Sequence, residues 1–146
     1  MKKIVFDGSE YLAVDNDVLP GALVYAIFGD VHALSQGTTF IGAEDERLQF
    51  SVLRYDKGKI LQNHIHKYRP RVIEKTQEAW VVLSGSATAH VFNEEKENIY
   101  SEVITAGQFF ISYRGGHGYE ILSDDTIVIE LKLGDFIGVE QDKEKF

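Results

Sequence analysis

Glu78-Ala79-Trp80-Val81-Val82-Leu83-Ser84-Gly85-Ser86-Ala87-Thr88-Ala89-His90-Val91-Phe92 is the stretch that decides the fold class of this chain. It holds two runs rich in β-branched, aromatic and small apolar residues, separated by a Ser-Gly turn signal. Similar short runs, separated by turn signals, continue on both sides of this stretch. They predict eight strands: Leu48–Tyr55, Lys59–Lys67, Ala79–Leu83, Ala87–Phe92, Ile99–Thr105, Gln108–Tyr113, Tyr119–Leu122 and Thr126–Leu133. Short strands at this spacing indicate an antiparallel sandwich or barrel, so we expect an all-β protein.

The length of 146 residues fits one domain, and no linker or repeat divides the chain. Residues 1–45 mix apolar runs with glycine and aspartate and show no sustained period. We interpret them as an N-terminal arm or short strands packed on the main body, which we place at residues 46–146.

The composition excludes several classes of function. A formal net charge of −8 argues against nucleic-acid binding, which needs a basic surface. The chain has no cysteine, so disulfides and thiol catalysis are excluded. The most apolar stretch, residues 19–28, is too short to cross a bilayer. We therefore expect no membrane partner and a cytoplasmic location.

A histidine pair in a predicted strand suggests metal chemistry. His64 and His66 are two residues apart, so in a strand their side chains point to the same face, with Cα atoms about 6–7 Å apart. Two imidazoles at that spacing can converge on one cation. Short motifs of this kind have many false positives, and two exposed strand histidines are the alternative.

Spaced glycines, a glutamate and a third histidine accompany this pair. Gly58 lies six residues before His64, Glu78 lies seven before Gly85, and His117 lies ten after Gly107. This order resembles the two-motif signature of the cupin superfamily over residues 48–133. The resemblance implies a jelly-roll barrel, a double-stranded β-helix.

The resemblance also implies a metal held by His64, His66, Glu78 and His117, and such a donor set suits Fe, Mn, Ni or Zn. Eleven residues separate His66 from Glu78, more than cupins usually have. Glu74 is therefore a rival ligand, although only Glu78 keeps the distance to Gly85. The second motif also lacks its usual proline and is one residue shorter.

Further candidate site residues flank these motifs. Arg69 and Arg71 belong to a cluster of cations and are candidates for binding a small anion; a solvated loop is the alternative. Tyr113 and Tyr119 flank His117, and we assign substrate binding to Tyr113. Glu130, together with Tyr119, is a candidate catalytic acid or base if its face of the last strand is the inner one.

The function that we expect is metal-dependent proton transfer, such as isomerisation or epimerisation, on a small anionic and sugar-derived molecule. The long spacer and the Gly115-Gly116-His117-Gly118-Tyr119 run resemble small bacterial cupins associated with surface-polysaccharide synthesis. Two alternatives are an Fe(II)-dependent dioxygenase and a non-catalytic binding protein, so enzymatic activity is an expectation only. The resemblance also implies a homodimer.

Overall fold

The computed structural model of the protein describes the backbone of residues 2–6 and 9–15 and the whole of residues 24–146. Its strands are β1 (Lys2–Phe6), β2 (Ser9–Asp15), β3 (Val24–Asp30), β4 (Gly37–Ile41), β5 (Phe50–Arg54), β6 (Glu78–Ser84), β7 (Ser86–Phe92), β8 (Asn98–Thr105), β9 (Gln108–Ser112), β10 (Gly116–Ile121) and β11 (Ile127–Lys132). A 3-10 turn covers Val31–Ala33, and a short helix, α1, covers Val139–Asp142. The all-β expectation is confirmed.

The larger sheet has six strands in the order β1-β2-β3-β9-β6-β11. Residues 24–30, which we had placed in the N-terminal arm, form β3 in the interior of this sheet, between β2 and β9. Ala26, Ile27 and Phe28 are buried on both faces. A strand covered on both faces reads as a continuous apolar run, so it lacks the alternation that marks a half-exposed strand. The predicted arm otherwise falls partly on residues 1, 7–8 and 16–23, which lie outside the described residues.

The smaller sheet, in the order β10-β7-β8, packs against the inner face of the larger one. Phe28 and Phe110 from the large sheet meet Ala87, Ala89 and Val91 of β7 in one buried cluster. The alternating burial along β7 shows that it is covered on one side only. This core holds the inner faces of β6, β10 and β11 in fixed positions, and those faces carry the candidate site.

The β4–β5 hairpin covers the outer face of the large sheet. Ile41 from this hairpin packs in a second cluster with Phe109, Ile111 and Ala79. The cover does not extend over β11, where Ile127, Ile129 and Leu131 are exposed.

The Ser84-Gly85 turn between β6 and β7 forms where the sequence predicts it. Gly85 has a φ of +76°, a conformation that side chains with a Cβ rarely adopt. A Cβ here would also lie 2.8 Å from the Cα of Thr126. Glycine is required at this turn because of both its backbone angle and its close approach to the chain.

The predicted strand at Lys59–Lys67 is wrong: no strand forms between residues 55 and 77. Every residue from 56 to 69 is exposed, and we call these residues the basic arm. Strand preference depends on having a neighbouring edge to pair with, and the arm has none here. Within the described part of the chain the sheets are antiparallel and none closes into a barrel.

Candidate functional site

Glu78 and His117 meet although they lie on different sheets. Glu78 begins β6 in the large sheet, and His117 lies near the start of β10 in the small one. The Nε2 atom of His117 is 2.8 Å from Oε2 of Glu78. Glu78 is only 2% exposed, whereas His117 is partly open to solvent. The sequence motifs selected both residues across a separation of 39 positions.

The surroundings of Glu78 keep its carboxylate charged. The hydrogen bond from His117 lowers the pKa of Glu78, and burial opposes this shift less strongly. The ammonium groups of Lys143 and Lys132 lie 3.6 Å and 3.9 Å from Oε1 and also lower this pKa. Because a charged carboxylate only accepts, the bond requires the proton to be on Nε2 of His117.

The inner face of β11 carries Val128, Glu130 and Lys132 toward the site, which settles the orientation that the sequence left open. Val128 packs against the buried cluster between the sheets. Glu130 lies opposite Trp80 and accepts a hydrogen bond of 2.7 Å from its Nε1. Lys132 lies opposite Glu78.

Tyr119 stands next to this row. Its ring stacks on that of Trp80, and its hydroxyl is buried with no hydrogen-bond partner among the described residues. Burial raises the pKa of Tyr119, and the nearby carboxylates of Glu78 and Glu130 raise it further. At neutral pH the hydroxyl therefore keeps its proton and can donate a hydrogen bond.

A cavity of about 830 Å³ opens beside the Glu78–His117 pair. Its wall includes three basic side chains, Arg71, Lys75 and Lys143. Arg71 and Lys75 form no ion pair within residues 24–146. Partial burial in the wall lowers the pKa of Lys75, and the nearby Arg114 adds to this shift. The lining also carries five carboxylates, those of Glu74, Glu78, Asp135, Asp142 and Glu144. Glu78, Asp142 and Glu144 pair with lysines, so Arg71 and Lys75 are the side chains of this wall that could pair with a bound anion.

The C-terminal segment also lines the cavity, and no motif in the sequence indicates this. Asp142 of α1 pairs with Lys132 and accepts a hydrogen bond of 3.1 Å from Thr76. Phe146 packs edge-on against Phe92. Of the charged residues here, only Lys132 could be linked to the site from the sequence, because it shares a strand face with Glu130. Lys143 and Asp142 belong to no motif.

The other two predicted metal ligands do not join the pair. His64 and His66 lie in the basic arm with their ring centroids 5.0 Å apart, and Nδ1 of His64 contacts the carbonyl of Gln62. Among the residues that the structure describes, no group of three or more His, Asp or Glu side chains is placed to hold a metal ion. Only two of the four predicted metal ligands, Glu78 and His117, therefore lie together. The charge of Glu78 is balanced by the ammonium groups of Lys143 and Lys132.

The remaining predicted residues divide between the cavity and the core. Arg71 lines the cavity, as does Glu74, the rival ligand. Arg69 is exposed in the basic arm and is not part of the cavity wall. Tyr113 is buried in the outer cluster, where its hydroxyl donates to the carbonyl of Ile41.

Comparison of the chain with protein-family models, with curated proteins and with solved structures found no match. No helix in the described part of the chain is long and apolar enough to cross a membrane.

Proposed function

We propose that this protein is a cupin-type enzyme that binds a small anionic, sugar-derived molecule beside Glu78 and His117 and transfers a proton on it. The meeting of these two side chains at 2.8 Å, across two sheets and next to a cavity, is the observation that carries the proposal. The reaction class is isomerisation or epimerisation, because both need a proton removed from a carbon atom and returned to the same or a neighbouring atom.

The anion would bind at the basic wall. Arg71 can hold a phosphate or carboxylate with two parallel hydrogen bonds, and Lys75 adds a point charge. A bound anion would stabilise the charged form of Lys75 most, because partial burial in the cavity wall disfavours that form when no anion is present. An anionic group in this position places the rest of a small molecule next to His117, which lines the same cavity.

The proton would move through the imidazole. Glu78 holds the proton on Nε2, so Nδ1 of His117 is the base that takes a proton from a carbon next to the substrate carbonyl. The imidazolium formed is stabilised by the carboxylate at 2.8 Å. The imidazolium exchanges this proton with solvent and then gives a proton back to the same or a neighbouring carbon, so the imidazole regains its starting state. Tyr119, which keeps its proton, and Glu130 are additional candidate groups on the same inner face.

Metal dependence is a second proposal, carried by the meeting of two of the four predicted ligands. Fe, Mn, Ni or Zn would be held by Glu78 and His117, with His64 and His66 brought in from the basic arm. The metal would polarise the substrate carbonyl. Elemental analysis of purified wild-type protein and of His64→Ala tests it directly. A stoichiometric metal lost in the variant supports the proposal, and equal metal content in both proteins contradicts it.

The experiment for the main proposal uses a panel of sugar phosphates and nucleotide sugars in deuterium oxide. We expect solvent deuterium to enter a carbon-bound position of one member, detected by proton NMR, and this exchange to be lost in His117→Gln. Lys75→Gln should weaken binding of that compound about tenfold or more, because a hydrogen bond to a charged group contributes about 1.5–3 kcal/mol.

Lys59→Gln is the matched control, because it removes a lysine of the basic arm that is not part of this cavity wall. Binding that falls equally in Lys59→Gln and Lys75→Gln would reject the cavity as the anion site. A compound that binds tightly without any exchange would show that the protein only binds it, and would refute the proton transfer.

A further inference from the structure

The chain crosses from the large sheet to the small one just before His117. β9 ends at Ser112, which lies opposite Glu78 in the large sheet, and β10 begins at Gly116 in the small sheet. Residues 113–115 make this crossing. The distance between the carboxylate of Glu78 and the imidazole of His117 therefore depends on the path of these residues.

Three side chains, Tyr25, Glu94 and Arg114, hold the middle of this crossing, and we call them the Glu94 clamp. Nε and Nη2 of Arg114 donate hydrogen bonds to Oε1 of Glu94 at 3.1 and 2.6 Å, and the hydroxyl of Tyr25 donates to Oε2. The guanidinium also lies over the Tyr25 ring, 4.9 Å from its centroid. Both oxygens of the carboxylate are used, and hydrogen bonds to a charged group are roughly twice as strong as neutral ones.

The Glu94 clamp joins three parts of the fold. Tyr25 is buried on β3 of the large sheet, and Glu94 lies in the turn between β7 and β8 of the small sheet. Arg114 lies in the crossing, and its backbone N–H donates to the carbonyl of Tyr25 at 3.4 Å. The next residue, Gly115, has a φ of +69°, and a Cβ there would lie 2.2 Å from the carbonyl oxygen of Phe92. The crossing is therefore held against both sheets immediately before β10.

The exposure of the clamp shows that the core does not depend on its ion pair. The side chain of Arg114 is 23% exposed and that of Glu94 46% exposed. An ion pair that is open to water contributes little to the stability of a protein. The clamp also lies near the anion-binding wall, because beyond the effect of partial burial Arg114 lowers the pKa of Lys75 and Glu94 raises it. Its position beside the site, rather than its contribution to stability, is the feature that needs an explanation.

We propose that the Glu94 clamp positions the base of the reaction: it holds the crossing so that the imidazole of His117 stays within hydrogen-bond distance of Glu78. In this role Arg114 is a positioning residue, because it acts through the path of the chain and touches neither side chain of the pair. The inference rests on the proposed function, in which His117 takes the proton. A misplacement of about 1 Å in a catalytic group can cost about a hundredfold in rate, so a fixed crossing matters for the reaction.

The first test needs no substrate. Arg114→Gln and Glu94→Gln open the clamp from opposite sides, and the double variant removes both partners. The signal of the Nε2 proton of His117, read by nitrogen–proton NMR, reports the hydrogen bond to Glu78. We expect this signal to shift, and its proton to exchange with water faster, in all three variants, while the circular dichroism spectrum stays unchanged.

Arg54→Gln is the matched control. Arg54 ends β5 and donates hydrogen bonds to the carbonyls of His32 and Leu34, so its loss also removes an arginine that holds a backbone segment. It is not part of the cavity wall, and the signal of His117 should not change in Arg54→Gln.

Deuterium exchange into the compound found in the sugar-phosphate panel separates positioning from charge. Arg114 and Glu94 carry opposite charges near Lys75, so a purely electrostatic effect would weaken binding of an anionic compound in Arg114→Gln and strengthen it in Glu94→Gln. Loss of positioning instead lowers kcat for exchange about tenfold or more in both, with little change in KM. The double variant should be no slower than the slower single variant, because both substitutions break one contact. Arg114→Lys, which keeps the charge and one possible bond to Glu94, should recover part of the rate.

An unchanged Nε2 signal of His117 in Arg114→Gln and Glu94→Gln would overturn this inference, and so would effects of opposite sign on exchange. If no compound exchanges in the wild type, the proposed function fails by itself, because the NMR signal still tests the clamp. If the glutamine variants do not fold, Tyr25→Phe replaces them, since it removes a single hydroxyl from the clamp and keeps the ring in the core. We expect a smaller shift of the same signal in Tyr25→Phe, and no shift would equally overturn the inference.

Discussion

Phe110→Ala should be among the most damaging single substitutions in this protein. Phe110 is fully buried between the two sheets. Its ring lies 4.9 Å from that of Phe28 and 5.8 Å from that of Tyr119, measured between centroids. Removing a buried phenylalanine leaves a cavity that the neighbours only partly fill, and it typically costs about 3–5 kcal/mol. For a domain of this size we expect the melting temperature to fall by roughly 10 °C.

Urea unfolding followed by tryptophan fluorescence measures this cost, because Trp80 packs against the same cluster. Phe40→Ala is the matched control: Phe40 is 66% exposed, so its loss should change the free energy of unfolding by less than about 1 kcal/mol. The dependence on urea should be similar in both variants. If Phe110→Ala costs no more than Phe40→Ala, the two sheets do not pack as described.

Three further predictions concern charge and backbone. The folded-state pKa of Glu78 is below its ordinary value of 4.5, so its charge stabilises the fold above that pH, and this effect is lost as the pH falls through the lower folded value. The free energy of unfolding of Glu78→Gln should therefore depend less on acid pH than that of the wild type. An identical pH dependence would contradict this. Hydrogen bonds from Tyr25 and Arg114 lower the pKa of Glu94 to about 2, so NMR titration of its carboxyl carbon should give a midpoint near that value, rising in Tyr25→Phe; a midpoint near 4.5 in the wild type would refute the contact. Gly85→Ala should destabilise by more than Gly37→Ala, because both glycines have a positive φ but only Gly85 lacks room for a Cβ; equal losses would reject the crowding.

Much of the fold could be predicted because several strands alternate between buried apolar residues and more exposed residues. β7 has Ala87, Ala89 and Val91 on its buried face, these alternate with less buried residues, and Gly85 in the preceding turn marks where the strand begins. β3 could not be identified in this way, because it is buried on both faces and its apolar residues are consecutive. In the basic arm a strand was predicted that does not form. Ile60, Leu61 and Ile65 favour a strand, but no neighbouring strand lies beside them to pair with.

The site was predictable only where it depended on motif spacing. Glu78 and His117 were selected by their distances from glycines, and the structure brings them together. Lys143 and Asp142 reach the same place through the path of the C-terminal segment, which no local pattern encodes. The orientation of β11 also needed the structure, because its two faces are both plausible inner faces until the packing of Val128 is known.

The tautomer of His117 tests the central claim most directly, and it needs no substrate. Two-dimensional nitrogen–proton NMR of the imidazoles identifies which ring nitrogen carries the proton, and His117→Gln assigns the signal among the five histidines. We predict a proton on Nε2 in the wild type, hydrogen-bonded to Glu78, and a shift of its signal when Glu78→Gln removes the charged acceptor. A ring protonated on Nδ1, with signals unchanged by Glu78→Gln, would show that the two side chains do not form this pair.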